Sequence, residues 1–324
     1  MLDVPILPLI QSYEDYEKFI QDVEVCKANV LQNAAREIIH RHHLLELPLL
    51  LFSEGTNVVF AHGDHQVIKL FPPFHQKQYH SEKLVLKHLQ NKLSVKTPEL
   101  QHFGELSGWP YLVMSQLEGT LLESLWSEMD YANKTVILQE LGVLIKDVHA
   151  LPTQGLESID CHWEPFVETQ IANCVNHHRL NQLSQNLLQQ IPPFLDSVKS
   201  RLLPIKRPVL LTGEYTPMNF LVQQKEGIWH IDGLIDFGDA MLGLPEYDLL
   251  GPGAFLVQGD KALLKLFLTA YGYAPEELTE DLSQKLMALM LLHQYSHLNS
   301  QVRIEGWQQK VKTIKDLEEL LWGF

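Results

Sequence analysis

Cysteine, positive charge and long apolar runs are what this 324-residue sequence has least of. Its three cysteines, Cys26, Cys161 and Cys174, are odd in number, far apart and without C-x-x-C spacing, which argues against a disulfide framework and against a zinc knuckle. They read as small buried hydrophobes. No apolar run is long enough to span a bilayer. The first ten residues carry Asp3, lack a basic flank and lead into Glu14, Asp15 and Glu17, unlike a signal peptide. A cytoplasmic protein without a membrane partner is expected. Lysine and arginine total 25 against 40 acids, a net charge of −15, and they do not cluster as phosphate neutralisation on a nucleic acid requires. A nucleic-acid partner is therefore not expected, whereas a cationic small molecule is compatible with the acidity.

What is present suits a packed globular chain. At 45% apolar residues the length supports two domains or two lobes, as a monomer or homodimer. Histidine is abundant at 16 residues, and His293 and His297 stand four apart in LLHQYSHL, a spacing that on a helix aims both at one ion. The glutamate of an HExxH motif is missing, so a polar helix face is the preferred reading. His40, His42, His43, His177 and His178 read as solvated helix positions.

Apolar periodicity predicts two helices over residues 13–46, an N-terminal flank. From Pro48 the pattern changes to short β-rich runs, PLLLF, VVFA and QVIKLF, joined by SEGTN and HGDH, which predicts an antiparallel meander. A helix follows over 79–93. After Pro98 come a further strand and WPYLVMSQLEG, a buried strand that runs to Glu118 and Gly119. Helical patterns cover 131–150, 163–176 and 180–198. Strand signals return at PVLL, FLV and IWHIDGLIDF, and helices resume from Asp260. There is no internal repeat and no low-complexity linker.

Chemistry concentrates in residues 210–250, LLTGEYTPMNFLVQQKEGIWHIDGLIDFGDAMLGLPEYDLL. Short strands there deliver Glu214, Asn219 and Asp236 to loop positions at strand ends, where a rigid scaffold can hold functional groups. Magnesium takes octahedral oxygen ligands, only one or two of them from protein when phosphates and water supply the rest. Asn219 and Asp236 suit that need. Phosphoryl transfer also calls for a carboxylate that receives the acceptor's proton, a few residues before the amide ligand. Glu214 precedes Asn219 by five residues, the kinase catalytic-loop spacing. A phosphate and magnesium site gathered between Glu214 and Asp236 is the resulting expectation.

The segment resembles the aminoglycoside phosphotransferase and choline-kinase-like family, whose members carry HGDxxxxN and then an IDFGDA or IDWE-type motif. Here Thr212-Gly213-Glu214, Pro217 and Asn219 stand for the first, Ile235 to Ala240 for the second, and Gly243, Pro245, Tyr247 and Asp248 continue the family's GxPxYDL pattern. The resemblance implies an α+β, bilobal protein-kinase-like fold with a small antiparallel-sheet N-lobe and a larger, mainly helical C-lobe. Its implied divisions are a helical flank (1–46), a nucleotide-binding N-lobe (47–116) and a C-lobe with the catalytic loop and substrate-binding helices (117–324).

The resemblance further implies that ATP and Mg2+ are bound, with Ser53, Gly55 and Thr56 in the phosphate-covering loop. Lys69 would hold the α and β phosphates as a point charge, with Glu82 as its helical partner. Met114 and Gln116 would lie in a connector whose backbone meets the adenine. Asn219 and Asp236 would hold the metal and Glu214 would act at the acceptor hydroxyl. His149 and Asp248 are structural on this reading.

Two departures matter. Thr212 replaces the loop histidine, and its hydroxyl can still bond locally. Glu214 replaces the aspartate with one methylene more, and a displacement of about 1 Å at a reacting centre can cost about 10²-fold in rate. Two readings follow: a small-molecule kinase with Glu214 as base, or a nucleotide-binding pseudokinase that acts as an interaction module. Retention of the remaining apparatus favours the enzyme. Glu164, Glu168, Glu246 and Asp260 are the candidate partners for substrate ammonium groups, and a surface role is the simpler reading of each.

Overall fold

The computed structural model describes residues 7–21, 26–52 and 55–324. They divide into two compact units. The first takes in the described residues of 1–92, with 96–118 and 236–239, and the second 93–95, 119–235 and 240–324.

In the first unit, helices α1 (Tyr13–Gln21) and α2 (Cys26–Arg41) precede strands β1 (Leu49–Leu51), β2 (Val58–His62) and β3 (Gln66–Leu70). Helix α3 (Gln76–Leu89) and strands β4 (Leu100–Leu106) and β5 (Trp109–Ser115) complete it. All strand pairs are antiparallel, in the order β1-β2-β3-β5-β4. Strand β5 stops at Ser115, short of Glu118. Helix α2 packs on the sheet. Its Leu31, Ala34, Ala35, Ile38 and Ile39 share one buried core with Phe60, Ile68, Trp109 and Val113 of the sheet. Burying such a face is what stabilises a helix of this length.

The second unit begins with β6 (Thr120–Leu121), α4 (Tyr131–Ala150), α5 (Trp163–Leu180) and α6 (Gln185–Leu202). Strands β7 (Val209–Leu211), β8 (Phe220–Lys225), β9 (Ile228–Leu234) and β10 (Met241–Gly243) follow, then a single turn, α7 (Leu250–Pro252). Helices α8 (Lys261–Tyr271), α9 (Glu280–Leu292), α10 (Leu298–Gln301), α11 (Trp307–Lys310) and α12 (Ile314–Trp322) end it. The strands form a β6-β8-β9 sheet and a β10-β7 pair. Asp130 caps α4 by accepting the Asn133 N–H, a role for which short acidic side chains are suited. Helix α4 also serves β9: Asn133 Oδ1 accepts from Trp229 N–H and Glu140 Oε2 from Ile231 N–H, both at 2.8 Å.

Several sequence expectations change here. His293 and His297 do not share a helix turn, because α9 ends at Leu292 and His297 stands before α10. Among the described residues no group of three metal-ligating side chains forms. His178 is fully buried, with Nε2 at 2.9 Å from the Leu291 carbonyl, and burial lowers its pKa to about 4. Of the described cysteines, Cys174 is buried and Cys161 only partly so. No described helix is long and apolar enough to cross a membrane.

Candidate active site

Lys69 is the core of a charged cluster in the first unit. It sits in β3 opposite Val59 and Leu112, and its Nζ lies 2.7 Å from Glu82 Oε2 on α3 and 3.1 Å from Asp236 Oδ1. The Lys69 and Glu82 side chains keep 7% and 2% of their surface, whereas Asp236 keeps 38%, so Asp236 is the member able to meet a ligand. Burial alone would lower the lysine pKa, but the Asp236 and Glu82 carboxylates outweigh it and hold the ammonium charged well above its ordinary range. Burial pushes Glu82 up to about 7 against the pull of Lys69. Burial also acts upward on Asp236, yet Lys69 and the Gly238 N–H prevail and keep that carboxyl below its ordinary range.

The strand that leads into IDFGDA ends at Leu234, and Asp236 turns into the left-handed region at φ +64°. Aspartate tolerates this conformation because its side chain can bond locally. Oδ1 does so, accepting Gly238 N–H at 3.2 Å as well as the lysine, which leaves Oδ2 for a cation. Asn57 donates to Gln78 at 3.2 Å and pairs with His75 at 2.9 Å, and Gln78 donates to Asp239 at 3.3 Å. Gly55, at φ +114°, and exposed Thr56 precede this network, while Ser53 lies outside the described residues. Met114 is buried within β5. Gln116 commits its N–H to the His65 carbonyl at 2.8 Å, so that N–H cannot also read an adenine.

The second unit builds the loop that carries Glu214 and Asn219. Asp248 is its anchor: buried to 3%, it accepts Thr212 N–H at 3.0 Å on Oδ2 and Gly213 N–H at 3.1 Å on Oδ1. His149 Nε2 lies 3.1 Å from the same Oδ2, and its Nδ1 is 3.0 Å from the Tyr271 hydroxyl. A buried carboxylate is costly unless its lone pairs are filled, and here three donors fill them. The Thr212 and Tyr215 hydroxyls are buried beneath the loop without a well-formed hydrogen bond. Burial, then the Asp248 charge, push the Tyr215 phenol well above its ordinary pKa. Gly251 lets the α7 turn approach, since a Cβ there would stand 2.5 Å from the Tyr215 carbonyl.

Asn219 Nδ2 donates to the Glu214 carbonyl at 3.0 Å and to its Oε2 at 3.3 Å. The amide nitrogen is thereby committed to Glu214.

The sequence matches the phosphotransferase enzyme family over residues 50–280. The chain belongs to that family. Aminoglycoside 2'-phosphotransferase-IIIa, in a GDP complex, aligns with a TM-score of 0.67 at 17% identity over 88% of this chain and 96% of its own. The macrolide 2'-phosphotransferase MphH of Brachybacterium faecium aligns with a TM-score of 0.58 at 19% identity, over 80% and 89%. A streptomycin–ATP ternary complex of APH(2'')-IIa aligns with a TM-score of 0.54 at 16% identity, over 89% and 98%. The fold of this phosphotransferase is therefore kinase-like, with a small antiparallel-sheet part and a larger helical part.

Proposed function

We propose that this phosphotransferase moves the γ-phosphate of ATP, bound with Mg2+, to a hydroxyl of a small molecule. The observation that carries the reading is the loop geometry: Asp248 fixes the backbone at Thr212 and Gly213, and the next residue, Glu214, lines a cavity beside the loop. Asn219 and Asp236 offer hard oxygen donors of the kind Mg2+ takes, and the ion when bound would neutralise charge on the phosphates. Lys69, kept charged by its two carboxylates, would hold phosphate oxygens, with Gly55 and Thr56 covering them. Met114 and Gln116 would border the adenine. In the transfer, the acceptor oxygen bonds to the γ-phosphorus and its proton passes to Glu214. The bond from that phosphorus to the β–γ bridging oxygen breaks, and ADP leaves with the electron pair.

Relatives of the same fold have been seen with ATP and with GDP. Thermal melting with MgATP and MgGTP therefore comes first, followed by turnover of wild type, Glu214→Gln and Glu214→Asp. A Mg-dependent nucleotide shift is expected, together with a loss of about 10²–10⁴-fold in turnover for Glu214→Gln. Absence of the shift in wild type sinks the proposal. The Asn219–Glu214 contact favours a second reading, a nucleotide-binding module whose base is tied to its own metal-ligand amide. Nucleotide binding without turnover by wild type, restored by Glu214→Asp, would select that reading.

A further inference from the structure

Beside the Glu214 loop the second unit contains a cavity of about 220 Å³. Its walls are mostly apolar or aromatic: Met218, Tyr247, Phe255, Met290, His293 and Tyr295. The acids in the lining are Glu214 and Asp248, and Asp248 is sealed in the fold by three donors. The protein's large negative charge lies elsewhere. Glu164 and Glu168 are exposed on α5, Asp260 caps α8, and Glu246 is held by Lys285 at 2.6 Å and Tyr273 at 3.0 Å. None of these four lines the cavity.

The aromatic walls are also poor receivers of a cation. The Phe255 face already carries the Arg303 guanidinium at 4.8 Å, itself paired with Glu123 at 3.1 Å, so an incoming ammonium would meet a positive charge there. His293 is stacked on Tyr247, with ring centres 4.6 Å apart at 18°, and burial lowers its pKa to about 4, leaving a neutral ring at neutral pH. The Tyr247 hydroxyl accepts the Gln294 N–H at 3.1 Å and is not a bare acceptor for an ammonium. Uncharged polar side chains in the wall are few, Thr216 and Gln301 beside the tyrosines. An apolar body with a few hydrogen-bonding groups fits such a wall, whereas several ammonium groups would lose water with Glu214 alone to answer them.

We infer that the acceptor seated in this cavity is an uncharged hydroxyl compound with an apolar body, and not a polyamine. This rests on the phosphotransferase reading, with the acceptor hydroxyl placed at Glu214. The test uses binding, so that it is scored apart from nucleotide shift and turnover. Calorimetric titration of the full chain with 4-nitrophenyl β-D-glucoside, octyl β-D-glucoside and kanamycin is expected to show a neutral glycoside bound at least tenfold more tightly than kanamycin. Met218→Ala and Tyr295→Ala replace side chains on residues that are about half exposed, at 47% and 48%, so folding is not at stake. Each should weaken the glycoside about three- to tenfold, with circular dichroism melts as the folding control. Kanamycin bound as tightly as either glycoside, binding of none of the three, or glycoside binding indifferent to both substitutions overturns the inference. A failed MgATP shift alongside tight glycoside binding would count against the phosphotransferase reading and leave the cavity assignment standing.

Discussion

The Lys69 cluster and the Glu214 loop hold functional groups by opposite means. The first unit sets a buried ammonium, Lys69, against buried Glu82 and the partly exposed Asp236, and the two buried members are costly to separate. The second uses one buried carboxylate and two backbone N–H groups to fix a loop, so that position is set by hydrogen bonds of defined direction. A charge cluster tolerates small movements of its members and answers to incoming charge. A hydrogen-bonded loop does neither. The difference would suit the proposed division of labour between phosphate binding and alignment of a reacting atom.

Substitutions can separate the two. Lys69→Met should have the largest effect, because it strands Glu82 in the core: about 3–5 kcal/mol of stability is expected to be lost. Protonation of Glu82 relieves part of that loss, so denaturant melts should show a larger deficit at pH 8 than at pH 5.5. Asp236→Asn should come next, lowering turnover by about 10²–10³-fold and removing the Mg-dependent part of the nucleotide melting shift. It also bears on pH. A carboxyl held below its ordinary pKa in the folded state contributes stability that is complete above the unfolded value and is lost as pH falls through the folded one. The wild-type advantage over Asp236→Asn should thus persist from neutral pH down to about 4 and vanish below it.

Asp248→Asn tests the other half. With loop donors left short of an acceptor, about 1–3 kcal/mol of stability should be lost, and turnover should fall while the MgATP shift survives. Loss of both together would show that the two modes of holding are not separable. The smallest effect is expected for Gly55→Ala. At φ +114° an added Cβ is strained even though space is open, a cost of about 1 kcal/mol that should appear as a few-fold weaker MgATP affinity in calorimetry.

Much of this was legible in the sequence because it rests on local pattern. The strands around PLLLF, VVFA and QVIKLF show as short β-rich runs, and α4 shows as a periodic face over residues 131–150. The spacing from Glu214 to Asn219 is likewise a property of one loop. What failed depended on partners far along the chain. His178 is buried because Leu291 and its neighbours cover it, and nothing in residues 174–182 signals that. The reading of His293 and His297 assumed a continuing helix, but α9 stops at Leu292, leaving His293 to stack on Tyr247. The cavity draws its wall from residues 213–218, 247–255 and 290–301, so the acids guessed from composition could not be sorted from those that line it.

The service that α4 gives to β9 has a consequence for the exposed life of the sheet. In the β6-β8-β9 order β9 is the outer strand, and its Trp229 and Ile231 amides would ordinarily offer a template to any extended chain that drifts by. Asn133 and Glu140 accept those two protons, so a helix closes the edge with side chains where another strand would have closed it with backbone. In deuterated water these two amides should hold their protons as long as those of an interior strand, and the edge should refuse to zip onto a second molecule.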